Sequence, residues 1–209
     1  EFHNYAKPGI GIDGLLSDLE TYQSERDALA NADIIIVAIA NNDTAWNSNE
    51  DPCDGPSGDT VDWSKYNTTC AAEAAEMFRP KFEQAFSQIV DLRDGKPTVY
   101  LTINAYNFWN SEPATEIPPE AMNAARDILD AWNAMICTTA QENGFICADI
   151  YHAFNGPDGL TPAVVLELGN QPDLPPRVIH DGRGKVHPGA RIGEFIECGL
   201  NITGVPEKP

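Results

Sequence analysis

Hydrophobic residues along the chain fall into short continuous runs that alternate with longer helical stripes. The clearest run covers residues 33–40, which after Asp33 contain only isoleucine, valine and alanine, and it ends at Asn41, Asn42 and Asp43. Such a run is typical of a strand buried on both faces, as in the parallel sheets of α/β proteins. The three polar residues then either form an Asx-rich turn or face a ligand at the carboxyl end of the strand.

Three other segments predict strands. Residues 3–11 predict a short strand that ends in a glycine-rich turn. Residues 97–103 and 145–150 predict two further strands of the sheet, and the first of these again ends on polar and aromatic residues, namely Asn104, Tyr106, Asn107 and Trp109. Polar residues at two strand ends predict a site at that edge of the sheet.

Helical periodicity separates these strands. It predicts helices over residues 13–22, 69–94 and 118–143, a short helix near 161–168, and a terminal amphipathic helix after His187 that carries Ile192, Phe195 and Ile196. Pro80 predicts a kink or a new helix start near Arg79. The polar residues 23–32 predict only a connection, and residues 41–68 predict a long loop.

Strands and helices therefore alternate throughout the 209 residues. This order predicts an α/β fold in one domain, with a parallel sheet sandwiched between helices.

The net charge of the chain excludes some classes of binding partner. The chain has 13 lysines and arginines against 32 aspartates and glutamates, a formal net charge of −19. Such a surface repels phosphate backbones and anionic lipids, which argues against nucleic-acid and membrane-surface partners. No apolar run approaches the length of a membrane span.

Five cysteines indicate an oxidising compartment. Cys53 and Cys70 flank the long loop, and Cys137 and Cys147 flank a predicted helix end, so two local disulfides are expected and Cys198 is left over. Sequons at Asn42, Asn67 and Asn201 would permit N-glycosylation in a eukaryotic source. Phosphate-binding, dinucleotide-binding and zinc motifs do not occur in the sequence.

The remaining polar blocks carry a family resemblance. Residues 4–9 run from an asparagine to a glycine, residues 40–43 read Ala-Asn-Asn-Asp, and residues 184–188 end in His-Pro. In this order they resemble blocks of the SGNH hydrolases, the GDSL family of esterases and lipases. Alanine replaces a family glycine at residue 40, and Gly184 stands where the family has aspartate. Residues 148–158 look like the segment before the last block of secreted members.

The resemblance implies a three-layer α/β/α sandwich, flavodoxin-like in arrangement, and acyl transfer from a serine. It assigns His187 as the general base, Asn42 and Gly9 as oxyanion donors, and Asp181 as the nearest candidate for the triad acid. Asp181 lies six residues before His187, whereas the family spacing is three. If Asn42 is an oxyanion donor, its sequon should be unoccupied. Taken without the other blocks, each residue has an ordinary structural explanation. His187 is a loop residue before a helix, Gly9 is a turn glycine and Asn42 is an Asx-turn residue.

The family's Gly-Asp-Ser block, which holds the nucleophile on the first strand, has no counterpart in these residues. Ser17 and Ser24 lie within or after the first predicted helix and not at a strand end. We therefore expect an N-terminally incomplete SGNH-type domain over residues 1–209, missing its first strand, with the serine on an upstream segment or companion fragment.

The predicted function is a secreted serine ester hydrolase of the carboxylesterase, lipase or acetylesterase type, acting without metal or cofactor on a small-molecule, glycan or lipid ester. Trp46, Tyr106 and Trp109 either line the substrate pocket or anchor loops by packing. The alternatives are a catalytically inactive relative that binds a carbohydrate or ester, and a structural secreted protein.

Overall fold

A computed structural model describes residues 2–39, 41–45, 52–54, 62–107 and 119–160. The helices and strands in this part of the chain, besides a 3-10 turn at Trp63–Lys65, are α1 (Ile12–Thr21), α2 (Gln23–Asn31), β1 (Ile34–Val37), α3 (Thr68–Leu92), β2 (Val99–Ile103), α4 (Pro119–Glu142), β3 (Ile146–Ala148) and α5 (Ile150–Asn155).

The strands form a parallel three-stranded sheet in the order β1-β2-β3. Ile36 lies beside Leu101, and Leu101 lies beside Ile146 in the next strand. A side-chain bond reinforces the ladder, since the Thr102 hydroxyl donates to the Val37 carbonyl at 2.9 Å. The prediction of an α/β fold with a parallel sheet is thus confirmed at this level.

The core lies between this sheet and the pair α3 and α4. Both helices present apolar residues at three- and four-residue spacing, which builds a continuous stripe on each. The Trp132 ring meets Phe78 and Phe82 edge to face at 5.3 and 5.8 Å between centroids. Phe86 contacts Phe145, which precedes β3, at 4.6 Å. The aromatic cluster therefore fixes the two helices against the sheet.

Two local predictions are wrong. Residues 2–7 are exposed and form no strand, because no neighbouring strand pairs with them in the described sheet. The polar stretch before β1 is helix α2, where the Arg26 guanidinium donates to the carbonyls of Leu19 and Glu20 at the end of α1. These bonds satisfy carbonyls that the end of α1 leaves free, so a polar helix is stable there.

Two further differences concern helix limits. α3 runs through Pro80 as a single helix, so of the two alternatives predicted near Arg79, a kink or a new helix start, the new start is wrong. The Arg79 guanidinium donates to Thr139 of α4 at 3.0 Å, a contact that holds this part of α3 in place. Helix α5 follows β3 directly and was not predicted, although Asp149 caps it by accepting from the His152 N–H.

The two faces of the sheet differ. On β1 the side chains of Ile35 and Val37 are buried, at 4% and 7% exposure, and belong to the core with α1, α3 and α4. Ile34 and Ile36 point to the other face and are 60% and 53% exposed. The prediction that this strand is buried on both faces is therefore wrong for the described part of the chain, because its helices pack on one face of the sheet.

Both expected disulfides form. Cys53 bonds to Cys70 at the start of α3, and Cys137 of α4 bonds to Cys147 of β3. They fit an oxidising compartment. Cys198 and the predicted helices near 161–168 and after His187 lie outside the described residues. None of the helices in the described ranges combines the length and hydropathy needed to cross a membrane.

Candidate functional site

The polar turn after β1 is hydrogen-bonded to the segment that leads into α1. The Asn42 side-chain amide donates to the Ile10 carbonyl at 2.8 Å, across 32 residues of sequence. Ile12, the first residue of α1, donates its N–H to the Asp43 carboxylate at 2.6 Å. The turn at the carboxyl end of the strand therefore holds residues 9–12 in place.

Two glycines permit this close approach. Gly9 has φ +74°, a left-handed conformation that other residues rarely adopt. A Cβ at Gly11 would collide with the Asp43 carboxylate, so a larger residue there would displace that side chain. Within the described residues the Gly9 N–H makes no hydrogen bond. A backbone donor and a side-chain amide thus lie on neighbouring segments at one edge of the sheet.

Asp43 makes the stability of this corner depend on pH. Burial raises the pKa of its carboxyl above 3.8, against the lowering effect of the Ile12 N–H. The folded chain therefore holds the Asp43 proton more tightly than the unfolded chain, and this stabilisation is lost as pH rises through the raised pKa. We expect the free energy of unfolding of the wild type, minus that of Asp43→Asn, to fall with rising pH above about 3.8 and then to level off. Urea titrations at a series of pH values measure this difference, and a difference that rises with pH would contradict the assignment.

Paired asparagines shape the segment after β2. The Asn133 amide accepts from the Ala105 N–H and donates to the Ala105 carbonyl, both at 2.8 Å. Asn155 brackets Asn107 in the same way, at 2.7 and 3.0 Å. Each side chain thereby replaces a neighbouring strand, so residues 104–107 stay ordered beyond the end of the sheet. Tyr106 lies between the two brackets and packs against Phe154, with 5.6 Å between ring centroids.

A histidine–aspartate pair follows β3. His152 Nδ1 lies 2.6 Å from Asp149 Oδ2, and Asn104 donates to Asp149 Oδ1 at 2.9 Å. Burial raises the pKa of the Asp149 carboxyl, but the hydrogen bonds from Asn104 and His152 outweigh it and leave that pKa below its usual range. Asn104 also accepts from the buried Tyr151 N–H at 3.0 Å. The network ties the end of β2 to the start of α5.

This network borders a cleft of about 540 Å³, which lies at the carboxyl ends of β2 and β3. Its polar lining includes Asn104, Asn133 and Asp130, and the Cys137–Cys147 disulfide forms part of the wall. Burial raises the pKa of Asp130. The volume lies within the range of about 300–1,000 Å³ that is common for small-molecule sites. No group of three or more histidine, cysteine, aspartate or glutamate side chains in the described part of the chain is arranged to hold a metal ion.

The predicted site residues divide by location. Gly9 and Asn42 lie next to the same segment, joined through the Ile10 carbonyl. Tyr106 lies after β2 and packs on Phe154. His187, Asp181, Trp46 and Trp109 lie outside the described residues. Three residues of this region were not predicted: Asp43, which accepts from the first N–H of α1, and the asparagines Asn133 and Asn155. The only local signal of the two asparagines is a polar residue inside an apolar stripe.

Comparisons of the chain with models of protein families, with curated proteins and with solved structures find no match.

Proposed function

We propose that this chain forms the larger part of a serine ester hydrolase of the SGNH type, with a three-layer α/β/α fold, secreted into an oxidising environment. The two disulfides support an oxidising compartment. The proposed substrate is a small-molecule, glycan or lipid ester, and the proposed reaction uses no cofactor.

The observation that carries the proposal is the hydrogen bond from the Asn42 amide to the Ile10 carbonyl, at 2.8 Å. It joins two sequence blocks to which the family resemblance assigns the oxyanion donors. An amide nitrogen carries two hydrogens, so the bond to Ile10 fixes the Asn42 group and leaves one N–H for a ligand. The proposed second donor is the Gly9 N–H, because stabilisation of a tetrahedral oxyanion requires preorganised donors.

The order of strands supports a further strand beside β1. β1 lies at the end of the described sheet, although its sequence Ile-Ile-Ile-Val is typical of an interior strand. An apolar edge with free backbone groups is a site for additional pairing. We propose that a segment upstream of Glu1 supplies this strand and carries the serine at its carboxyl end, next to Asn42.

The proposed mechanism has two steps. The serine oxygen attacks the ester carbonyl while His187 accepts its proton, and the carbonyl electrons move to the oxygen held by Asn42 and Gly9. Collapse of this intermediate breaks the bond to the alcohol, which takes the proton back from His187. Water then attacks the acyl-serine by the same route and releases the acid. Asp181 is the proposed orienting acid for His187.

Hydrolysis of a short p-nitrophenyl ester by the natural full-length protein, with the sequence that precedes Glu1, tests the proposal. Turnover that a serine-directed phosphonate abolishes supports it. Binding of an ester or acetylated sugar without turnover, in a protein proven to lack a Gly-Asp-Ser segment, would instead support an inactive binding protein.

Asn42 gives a sharper prediction. Asn42→Asp keeps the size of the side chain but removes both donors, and we expect kcat for ester hydrolysis to fall about 10²–10³-fold, as for loss of one oxyanion donor. KM should change much less, because the lost bond forms in the transition state. A matched substitution, Asn31→Asp, removes an exposed donor to the Asp27 carbonyl far from this edge and should leave kcat unchanged. Equal effects of the two substitutions on kcat would contradict the role of Asn42.

A further inference from the structure

The cleft at the ends of β2 and β3 is lined by negative charge. The carboxylates of Asp130, Asp149 and Asp158 line it, and no lysine or arginine does so in the described part of the chain. The Asp149 carboxylate is bonded to Asn104 and His152. Asp130 and Asp158 form no salt bridge with any described residue. The cleft therefore carries charge that this part of the chain leaves without a paired cation.

The arginine one turn before Asp130 on α4 is bonded elsewhere. Arg126 donates to the Asp127 carboxylate from Nε at 3.0 Å and from Nη2 at 2.7 Å. Burial raises the pKa of the Asp130 carboxyl, and the more distant charge of Arg126 lowers it by less. A partly buried carboxylate without a paired cation is unfavourable, so a cation from outside the chain would be stabilised beside it.

A buried hydroxyl in the same cleft also indicates a ligand. Tyr151 lines the cleft and is 1% exposed. Its hydroxyl lies beside the Asp130 carboxyl but makes no hydrogen bond of regular geometry with a described residue. Gly159 packs on this hydroxyl so closely that a Cβ there would collide with its oxygen. Because buried hydroxyls in folded proteins nearly always have a partner, a polar group in the cleft would complete this one.

Other parts of the cleft wall are apolar. Ala134 and the Cys137–Cys147 disulfide contribute from α4 and β3, and Pro157 contributes from the turn after α5. The volume of about 540 Å³ is sufficient for a small organic molecule. A ligand with a charged head and a short alkyl stem would contact both kinds of wall.

We propose that this cleft binds a small organic cation, a primary ammonium or guanidinium group on a short alkyl stem. Its N–H groups donate to the carboxylates of Asp130 and Asp158 and to the Tyr151 hydroxyl oxygen, and its stem packs on Ala134 and Pro157. The carboxyl ends of parallel strands are where α/β sheets bind ligands. The proposal is independent of ester hydrolysis, because none of these residues belongs to the proposed oxyanion site or triad.

Titration of the natural full-length protein with butylammonium chloride, followed by two-dimensional amide NMR, tests the site. Sodium chloride at equal concentration is the reference for ionic strength, and butanol is the uncharged probe of the same shape. We expect saturable shifts of the Ala134, Tyr151 and His152 amides with butylammonium alone. Asp130→Asn keeps the size of the side chain but removes its charge, and should raise Kd about tenfold. The matched change Glu73→Gln removes an exposed charge on α3 and should keep Kd within about twofold.

Asp158→Asn is a second variant on a different wall of the cleft and should also raise Kd. Circular dichroism verifies that each variant is folded. Equal shifts with sodium chloride would overturn the proposal, because they would show only diffuse attraction to a chain of net charge −19. Equal affinity for butanol would make the cleft an apolar site. A Kd that neither aspartate substitution changes would place the cation elsewhere. Loss of ester hydrolysis with intact butylammonium binding would count against the proposed function and not against this site.

Discussion

Replacing His187 by alanine should lower kcat for ester hydrolysis by about 10²–10⁴-fold, the contribution typical of a positioned general base. The imidazole is the proposed acceptor of the serine proton and the donor to the leaving alcohol, so both steps lose their proton carrier. KM should change little, because His187 acts on the reacting atoms. Steady-state kinetics with a p-nitrophenyl ester on the natural full-length protein measures both constants.

The chain offers a matched control for this prediction. His152 follows Asp149 by three residues, whereas Asp181 lies six residues before His187, and the His152 Nδ1 lies 2.6 Å from the Asp149 carboxylate. The Asp149 carboxylate caps α5, so we assign this pair to the helix start and expect His152→Ala to keep kcat within about twofold. A loss of activity in His152→Ala together with an active His187→Ala would contradict the assignment and move the base to the end of β3.

Replacing Phe82 by alanine should lower the free energy of unfolding by about 3–5 kcal/mol, the usual cost of emptying a buried aromatic site. Phe82 is 1% exposed and contacts both Trp132 and Phe86, at 5.8 and 6.0 Å between centroids. The cavity would open where α3 meets α4, and neighbours fixed by their own packing cannot fill it. Urea denaturation followed by tryptophan fluorescence and circular dichroism measures the change.

Met77→Ala is the control on the same helix. Met77 is 44% exposed, so its loss removes little buried surface and should cost well under about 1 kcal/mol. If both substitutions cost the same, α3 would not pack through the aromatic stripe that the structure shows.

Periodicity predicted the main elements because their burial follows the local pattern. The stripes of α3 and α4 are long, and their aromatic residues carry most of the core, so spacing alone located both helices. Helix α2 was not predicted because it has no fully buried residue and no apolar stripe, and the Arg26 bonds to the carbonyls of Leu19 and Glu20 are not visible in a local pattern. The strand predicted over residues 3–11 is absent for a different reason. It has strand-like residues but no partner strand in the described sheet.

The sequence could predict only those residues of the candidate site that lie in short sequence blocks. Asn42 and Gly9 could be named from sequence blocks, and the structure brings them to one corner through the Ile10 carbonyl. The bracket between Asn133 and Ala105 spans 28 residues, and that between Asn155 and Asn107 spans 48. Such contacts depend on how α4 and α5 lie against the sheet, which no local pattern encodes.

The most direct measurement is covalent labelling of the natural full-length protein with a fluorophosphonate, followed by peptide mass spectrometry. We expect one stoichiometric adduct, on a serine upstream of Glu1, which is lost in His187→Ala and strongly reduced in Asn42→Asp. No adduct on a folded protein, or an adduct on a serine within residues 1–209, would contradict it.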